Sequence, residues 1–210
     1  MQDAVTNFVF DFGAVIFEWN PVKRVENHFQ GDWFGSDSAR ALAQNIFGHS
    51  SWHAFDEGLI SMHAVIEQTS KRLGIERRLL VELIAPIGDD LAPIESSVQI
   101  LEMLRARRDK GESCRLFFLS NMPEPYARVL ERKHSFLSWF DAGIFSADVK
   151  LAKPDIKIYK LLAQQYHLTA ENTLFVDDQL LNIQAAQSLG WRVVHLESPF
   201  ELSEKILRFL

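Results

Sequence analysis

Short apolar runs at 7–10, 115–120, 142–146, 173–176 and 192–196 alternate with stretches whose apolar residues recur at helical spacing. That alternation constrains the fold more than any other feature of the chain. Strands that read as near-continuous apolar runs are buried on both faces, and parallel strands can be joined only by a crossover, which here is helical. The expected class is therefore α/β, a doubly wound parallel sheet with helices on both sides.

Between the first run and the second the rhythm is helical throughout. Val22, Val25 and Phe29 fall on one face, as do Ala39, Leu42, Ala43 and Ile46. Gly58 reads as a helix end and Ser61 as the next N-cap, a helix over Val65, Ile66 and Thr69 stops near Gly74, and another runs from Arg77 to about Ala85. No strand is predicted there. Residues 19–87 are accordingly read as an all-helical insertion, and residues 1–18 with 88–210 as the sheet-containing core.

Composition narrows the function classes. The 22 basic and 28 acidic side chains give a net charge of −6, and no Lys/Arg run makes a basic stripe, which argues against nucleic acid as a partner. Cys114 is the only cysteine, so no intrachain disulfide can form; it reads as a small buried hydrophobe in a protein of a reducing compartment. The first apolar run is too short for a membrane span and has no basic flank, so the expectation is a cytoplasmic protein with no membrane partner. Whether it is a monomer or a homodimer stays open.

The chemistry collects where the strands end. Asp11 follows the first run and Gly13 lies two residues on, at the carboxyl end where open α/β sheets place their ligands. Ser120-Asn121 closes the second run, offering a hydroxyl and backbone N–H groups to an anionic oxygen. Lys153 precedes Pro154, and a cation at a helix start makes best sense facing an anion. Asp177-Asp178 closes the fourth run, with Asn182 one helical turn beyond. Two ionised carboxylates at about 4 Å repel by roughly 4 kcal/mol at an effective dielectric near 20. Such a pair needs a cation, and hard oxygen donors suit Mg²⁺.

In order and spacing, Asp11, Ser120, Lys153-Pro154 and Asp177-Asp178 resemble the four motifs of the haloacid dehalogenase-like superfamily of hydrolases, most of them Mg²⁺-dependent phosphatases. The resemblance implies a Rossmann-like core, with residues 19–87 as a helical cap whose turn is Gly58-Leu59-Ile60-Ser61. Asp-Phe-Gly-Ala-Val at 11–15 looks most like the branch of α-glucose-1-phosphate phosphatases. By that likeness Asp11 attacks phosphorus to give an aspartyl-phosphate. Mg²⁺ bridges Asp11, the Gly13 carbonyl, Asp178 and a phosphate oxygen, while Asp177 acts through water or from outside the ligand set. Lys153 and Ser120 hold phosphate oxygens, Asn121 adds a donor, and Asn182 orients Lys153 or a ligand. The implied partner is a small phosphorylated metabolite.

Two departures stand out. Most phosphatases of this superfamily carry an acid two positions after the nucleophile, where this chain has Gly13; such help is worth about 10²- to 10⁴-fold. A sugar 1-phosphate, with its less basic leaving oxygen, would need the acid less. Lys150 also stands where relatives have glycine. Trp19, Trp33, Trp52 and Phe55 are candidates to floor the substrate, whereas His49 and His53 lack the third ligand a zinc site requires. The rival readings are a metal-independent 2-haloacid dehalogenase, a phospho-accepting receiver module, and a degenerate binding protein.

Overall fold

A computed structural model describes residues 4–29 and 38–210; Trp33 lies outside them. The chain runs β1 (Asn7–Phe10), α1 (Pro21–His28), α2 (Ala39–Phe47), α3 (Ser50–Asp56), α4 (Met62–Leu73), α5 (Arg77–Ile84) and α6 (Ile87–Asp90). It continues with α7 (Glu95–Asp109), β2 (Arg115–Ser120), α8 (Glu124–Lys133), β3 (Ala142–Phe145), α9 (Ser146–Val149) and α10 (Ile156–Tyr166). Then come β4 (Thr173–Asp177), α11 (Leu180–Ser188), β5 (Arg192–His195) and α12 (Leu202–Leu207).

The helices begin where a side chain can accept an otherwise unpaired N–H. Asn20 accepts from Lys23 N ahead of Pro21, Ser38 from Ala41 N, Ser61 from Ala64 N and Asp155 from Lys157 N. Gly74 ends α4 in the left-handed region. Two four-residue helices, α6 and α9, escape the periodicity, while α3, capped by the His49 ring through Ser51 N, ends just before the predicted helix stop at Gly58. The sequence also places the start of the tenth helix at Pro154, but Asp155 makes the cap and the helix begins at Ile156.

All five strands are parallel, in the order β3-β2-β1-β4-β5. The chain leaves β1 to one side for β2 and β3, then returns to its other side for β4 and β5. That reversal puts the switch point between β1 and β4, where Asp11 N donates to Val176 O at 2.9 Å. Alternation along the strands divides the interior. Phe8, Phe10, Leu116, Leu174 and Val176 face one layer, with α7, α8 and α12; Val9, Phe117, Leu119 and Phe175 face the other, with α10 and α11. The first layer continues without a break into buried residues of α1–α5, among them Val25, Ile46, Phe55, Val65 and Leu80. The helical stretch is thus anchored by apolar contact to the same side of the sheet.

Candidate functional site

The carboxyl ends of β1 and β4 bring Asp11, Asp177 and Asp178 together; one oxygen from each lies within 4.8 Å of the others. Lys153, itself 5% exposed, reaches between them: its Nζ stands 2.8 Å from Asp11 Oδ1 and 2.7 Å from Asp177 Oδ2. Three residues far apart in sequence therefore form one buried charged unit, as the sheet topology requires.

Asp177 is held from every side. Its Oδ1 accepts from Gln179 N at 2.7 Å and from Asn182 Nδ2 at 3.0 Å, and its Oδ2 accepts from Lys153 Nζ. Asn182 therefore orients Asp177 directly. Asp178 has fewer obligations: it is half-buried, accepts from the Gln179 side chain, and lines the cavity with Asp11 and Gly13.

The second strand end is arranged differently from the sequence reading. Both ends of the Asn121 amide are engaged by the Lys153 backbone, Nδ2 donating to Lys153 O at 2.9 Å and Oδ1 accepting from Lys153 N at 2.8 Å. The amide thus serves as a clamp that fixes the lysine loop, and only the Asn121 backbone N–H remains to meet an anion. Ser120 is 1% exposed within β2, and at that strand end the cavity wall is formed by Asn121 and Met122.

Electrostatics follow the geometry. Burial pushes the Asp11 carboxyl up to about 7; Lys153 opposes this, and Asp177 and Asp178 reinforce it. For Lys153, burial works to lower the ammonium, but the carboxylates of Asp11 and Asp177 outweigh it and hold it above its ordinary range. Asp178 is raised by burial and by Asp177.

The cavity beside this cluster has a volume of about 810 Å³, within the range of small-ligand sites. Its far wall is aromatic. Trp19, Phe47, Trp52, Phe55 and Tyr126 meet edge to face in a chain, with successive centroids 5.4, 4.7, 5.5 and 5.7 Å apart. Trp19 and Trp52 line the cavity as anticipated, while Phe55, 2% exposed, backs them. A Cβ at Gly13 would lie in van der Waals contact with the Trp19 indole at 3.6 Å. A second cavity, about 480 Å³ and bordered by Arg24, His28 and Glu82, contains none of the four acidic and lysine residues.

A family model described as haloacid dehalogenase-like hydrolase matches residues 24–190. The chain belongs to this family of hydrolases. The match begins after β1, so Asp11 takes its place in the site from the sheet itself. Over 189 residues this hydrolase is 28% identical to a sesquiterpene phosphatase of Aspergillus oryzae, covering 90% of this chain and 88% of that one. It is 22% identical over 191 residues to a phosphorylated-carbohydrate phosphatase of Thermotoga maritima, covering 89% and 84%. A HAD-family enzyme of Bacteroides thetaiotaomicron has the same fold, with a TM-score of 0.71 at 17% identity over 97% of this chain and 99% of that one. That enzyme has also been solved with magnesium and inorganic phosphate.

Sequence reasoning missed how the helical stretch is tied to the sheet. Lys150, at φ +57°, donates from Nζ to Gly58 O at 2.7 Å, and Ser146 Oγ donates to Asp56 O while accepting from Met122 N at 2.9 Å. Lys150 thus reaches the turn after α3, and the position of Gly58 suits glycine: its φ is +63°, and a Cβ would lie 3.0 Å from Ala147 O. Nothing local in the sequence marks either tether. Among the described residues the acids on β1 and β4 make the one group able to hold a metal. His49 and His53 instead bond locally, to Ser51 and Gly48.

Proposed function

We propose that this hydrolase is a Mg²⁺-dependent phosphatase acting on a small organic phosphate with an apolar body, through an aspartyl-phosphate on Asp11. The observation that carries the reading is Asp11 itself: a buried carboxylate at the switch point, held on one oxygen by Lys153 and opening to a cavity. The donor set fits a magnesium ion. Asp11 and Asp178 offer hard oxygens in range of each other, and Gly13, whose carbonyl would be a third, lines the same cavity, whereas Asp177 is saturated by three N–H donors and holds the others in place. When bound, the ion supplies positive charge that offsets repulsion between the attacking carboxylate and the phosphate.

The chain's own residues do the rest. Lys153 fixes Asp11 in position and presents a second positive charge to the phosphoryl oxygens, since phosphoryl transfer is chiefly positioning and charge neutralisation. Asn121 keeps that lysine in register, and its N–H at the cavity wall is the remaining donor for phosphate oxygens, with Ser120 buried behind it. Residues 19–87 act as the cap that excludes water, over a core of 1–18 and 88–210.

The aromatic wall bears on the substrate. It offers apolar surface along Trp19, Phe47 and Trp52, which favours a hydrophobic ester of the kind a sesquiterpene phosphatase handles over a sugar 1-phosphate. A 2-haloacid dehalogenase would leave Asp178 without a task. The deciding assay measures phosphate and chloride release with Mg²⁺ or with EDTA, for wild type and Asp11→Asn, across prenyl, sugar and chloroacid substrates. Phosphate release that needs both Mg²⁺ and Asp11 is expected. Chloride release indifferent to EDTA would replace the reading with dehalogenation.

A further inference from the structure

A phosphatase without an acid beside its nucleophile still has a leaving oxygen to protonate. Gly13 cannot do so, and the Trp19 side chain lies 3.6 Å from where a Cβ at that position would stand. The cavity holds another carboxyl group. Asp56, the last residue of α3, lines the same cavity as Asp11 and Asp178, reaching it from the helical stretch on the far side. We propose that Asp56 is the general acid of this hydrolase, giving its proton to the leaving oxygen of the substrate.

The placement is firm for a residue at a helix end. The Asp56 carbonyl accepts from Ser146 Oγ, which is itself fixed by Met122 N next to the clamp residue Asn121. Two residues further on, Lys150 bonds Gly58 O at 2.7 Å. The turn carrying Asp56 is therefore pinned to the β2 and β3 ends of the sheet, the same strand ends that support Lys153. Its surroundings suit a proton carrier. Burial, then Glu57 beside it and Asp11 across the cavity, raise its carboxyl well above the ordinary range, the direction that favours the protonated form a general acid needs. From α8 the facing group is Tyr126, whose hydroxyl is committed to Ile84 O at 2.7 Å and is itself raised by burial.

The step balances. As an Asp11 oxygen bonds to phosphorus, the bond from phosphorus to the leaving oxygen breaks, and the Asp56 proton completes the departing alcohol. Asp56, now a carboxylate, takes a proton from the water that attacks the aspartyl-phosphate. Asp11 is released as carboxylate, phosphate leaves, and Asp56 is again protonated. This rests on the phosphatase reading, and the test keeps the two apart.

The test compares Asp56→Asn with wild type on p-nitrophenyl phosphate, whose leaving group needs no proton, and on farnesyl monophosphate, whose alkoxide does. Expected is a loss of about 10²- to 10⁴-fold in kcat/KM on the farnesyl ester and less than about tenfold on the nitrophenyl ester. The alkaline fall in the wild-type farnesyl profile should also disappear in the variant. Equal losses on both esters, or none on either, would remove Asp56 from the chemistry while leaving the phosphatase intact. No phosphate release by wild type from either ester would overturn the phosphatase reading itself. Asp56→Ser carries the same comparison if the Asn variant does not fold.

Discussion

Asp11 is held in the folded protein at a cost, and Asp11→Asn should reveal it. Burial and the neighbouring acids push its carboxyl from 3.8 to about 7, although Lys153 lies 2.8 Å away. Below 3.8 both folded and unfolded chains carry the proton, so the group contributes nothing. Between 3.8 and about 7 the folded chain keeps a proton that the unfolded chain has lost, and stability falls as pH rises; above that the penalty is complete. At about 1.36 kcal/mol per decade the ceiling is about 4 kcal/mol, of which about 2–3 kcal/mol lies between pH 5 and pH 8. An asparagine keeps the size and the acceptor for Lys153 but has no charge to lose. In EDTA, urea unfolding should therefore show the variant gaining on wild type by about 2–3 kcal/mol from pH 5 to pH 8, about 1 M in midpoint at unchanged slope. Offsets that stay constant over that range would mean that Asp11 is already ionised at pH 5. The Lys153 pair, and not burial, would then govern the site.

Further outcomes follow from the same contacts. Magnesium at about a hundred times its Kd should stabilise wild type by about 2.7 kcal/mol in the same urea assay and do much less for Asp11→Asn; equal gains would place the ion elsewhere. Asn182→Ala strips Asp177 of a buried donor at 3.0 Å and should cost about 1–3 kcal/mol in unfolding free energy, with a shift below about 0.5 kcal/mol contradicting the assigned contact. Gly143→Ala should cost about 1–3 kcal/mol or more, because the new Cβ would lie 2.3 Å from the Phe118 ring; a neutral thermal melt would show that the ring can move aside. Gly13→Asp should not raise phosphate release from farnesyl monophosphate, since the new Cβ already lies 3.6 Å from Trp19 and the acid is supplied by Asp56, whereas a tenfold gain would show that an acid at position 13 can serve.

Much of the architecture could be read from periodicity alone. Each apolar run became a parallel strand, Ser61 and Gly74 act where cap chemistry put them, and α10 begins two residues after the predicted Pro154. Those features are local: a strand buried on both faces, or an N–H without a partner, leaves its mark within a few residues. The acidic pair at Asp177-Asp178, the lysine before Pro154 and Asp11 after its strand were legible for the same reason, because a parallel sheet must deliver its strand ends to one edge.

Division of labour within that edge was decided by distance in space. Residue type and spacing do not separate Asp177 from Asp178, which only the family resemblance told apart; in space one is saturated by Lys153, Gln179 and Asn182 while the other faces the cavity. Of the two donors Asn121 could offer an anion, the side-chain amide is engaged at both ends by the Lys153 backbone, which leaves the backbone N–H. Lys150 appeared only as an oddity, and Asp56 gave no sign at all, since their partners lie 92 and 90 positions away. The sequence by itself determined which residues could carry charge to the sheet edge, because period and capping are short-range. Which of them face the cavity and which hold their neighbours was left to the tertiary structure, because hydrogen-bond saturation depends on groups that only the folded chain brings within reach.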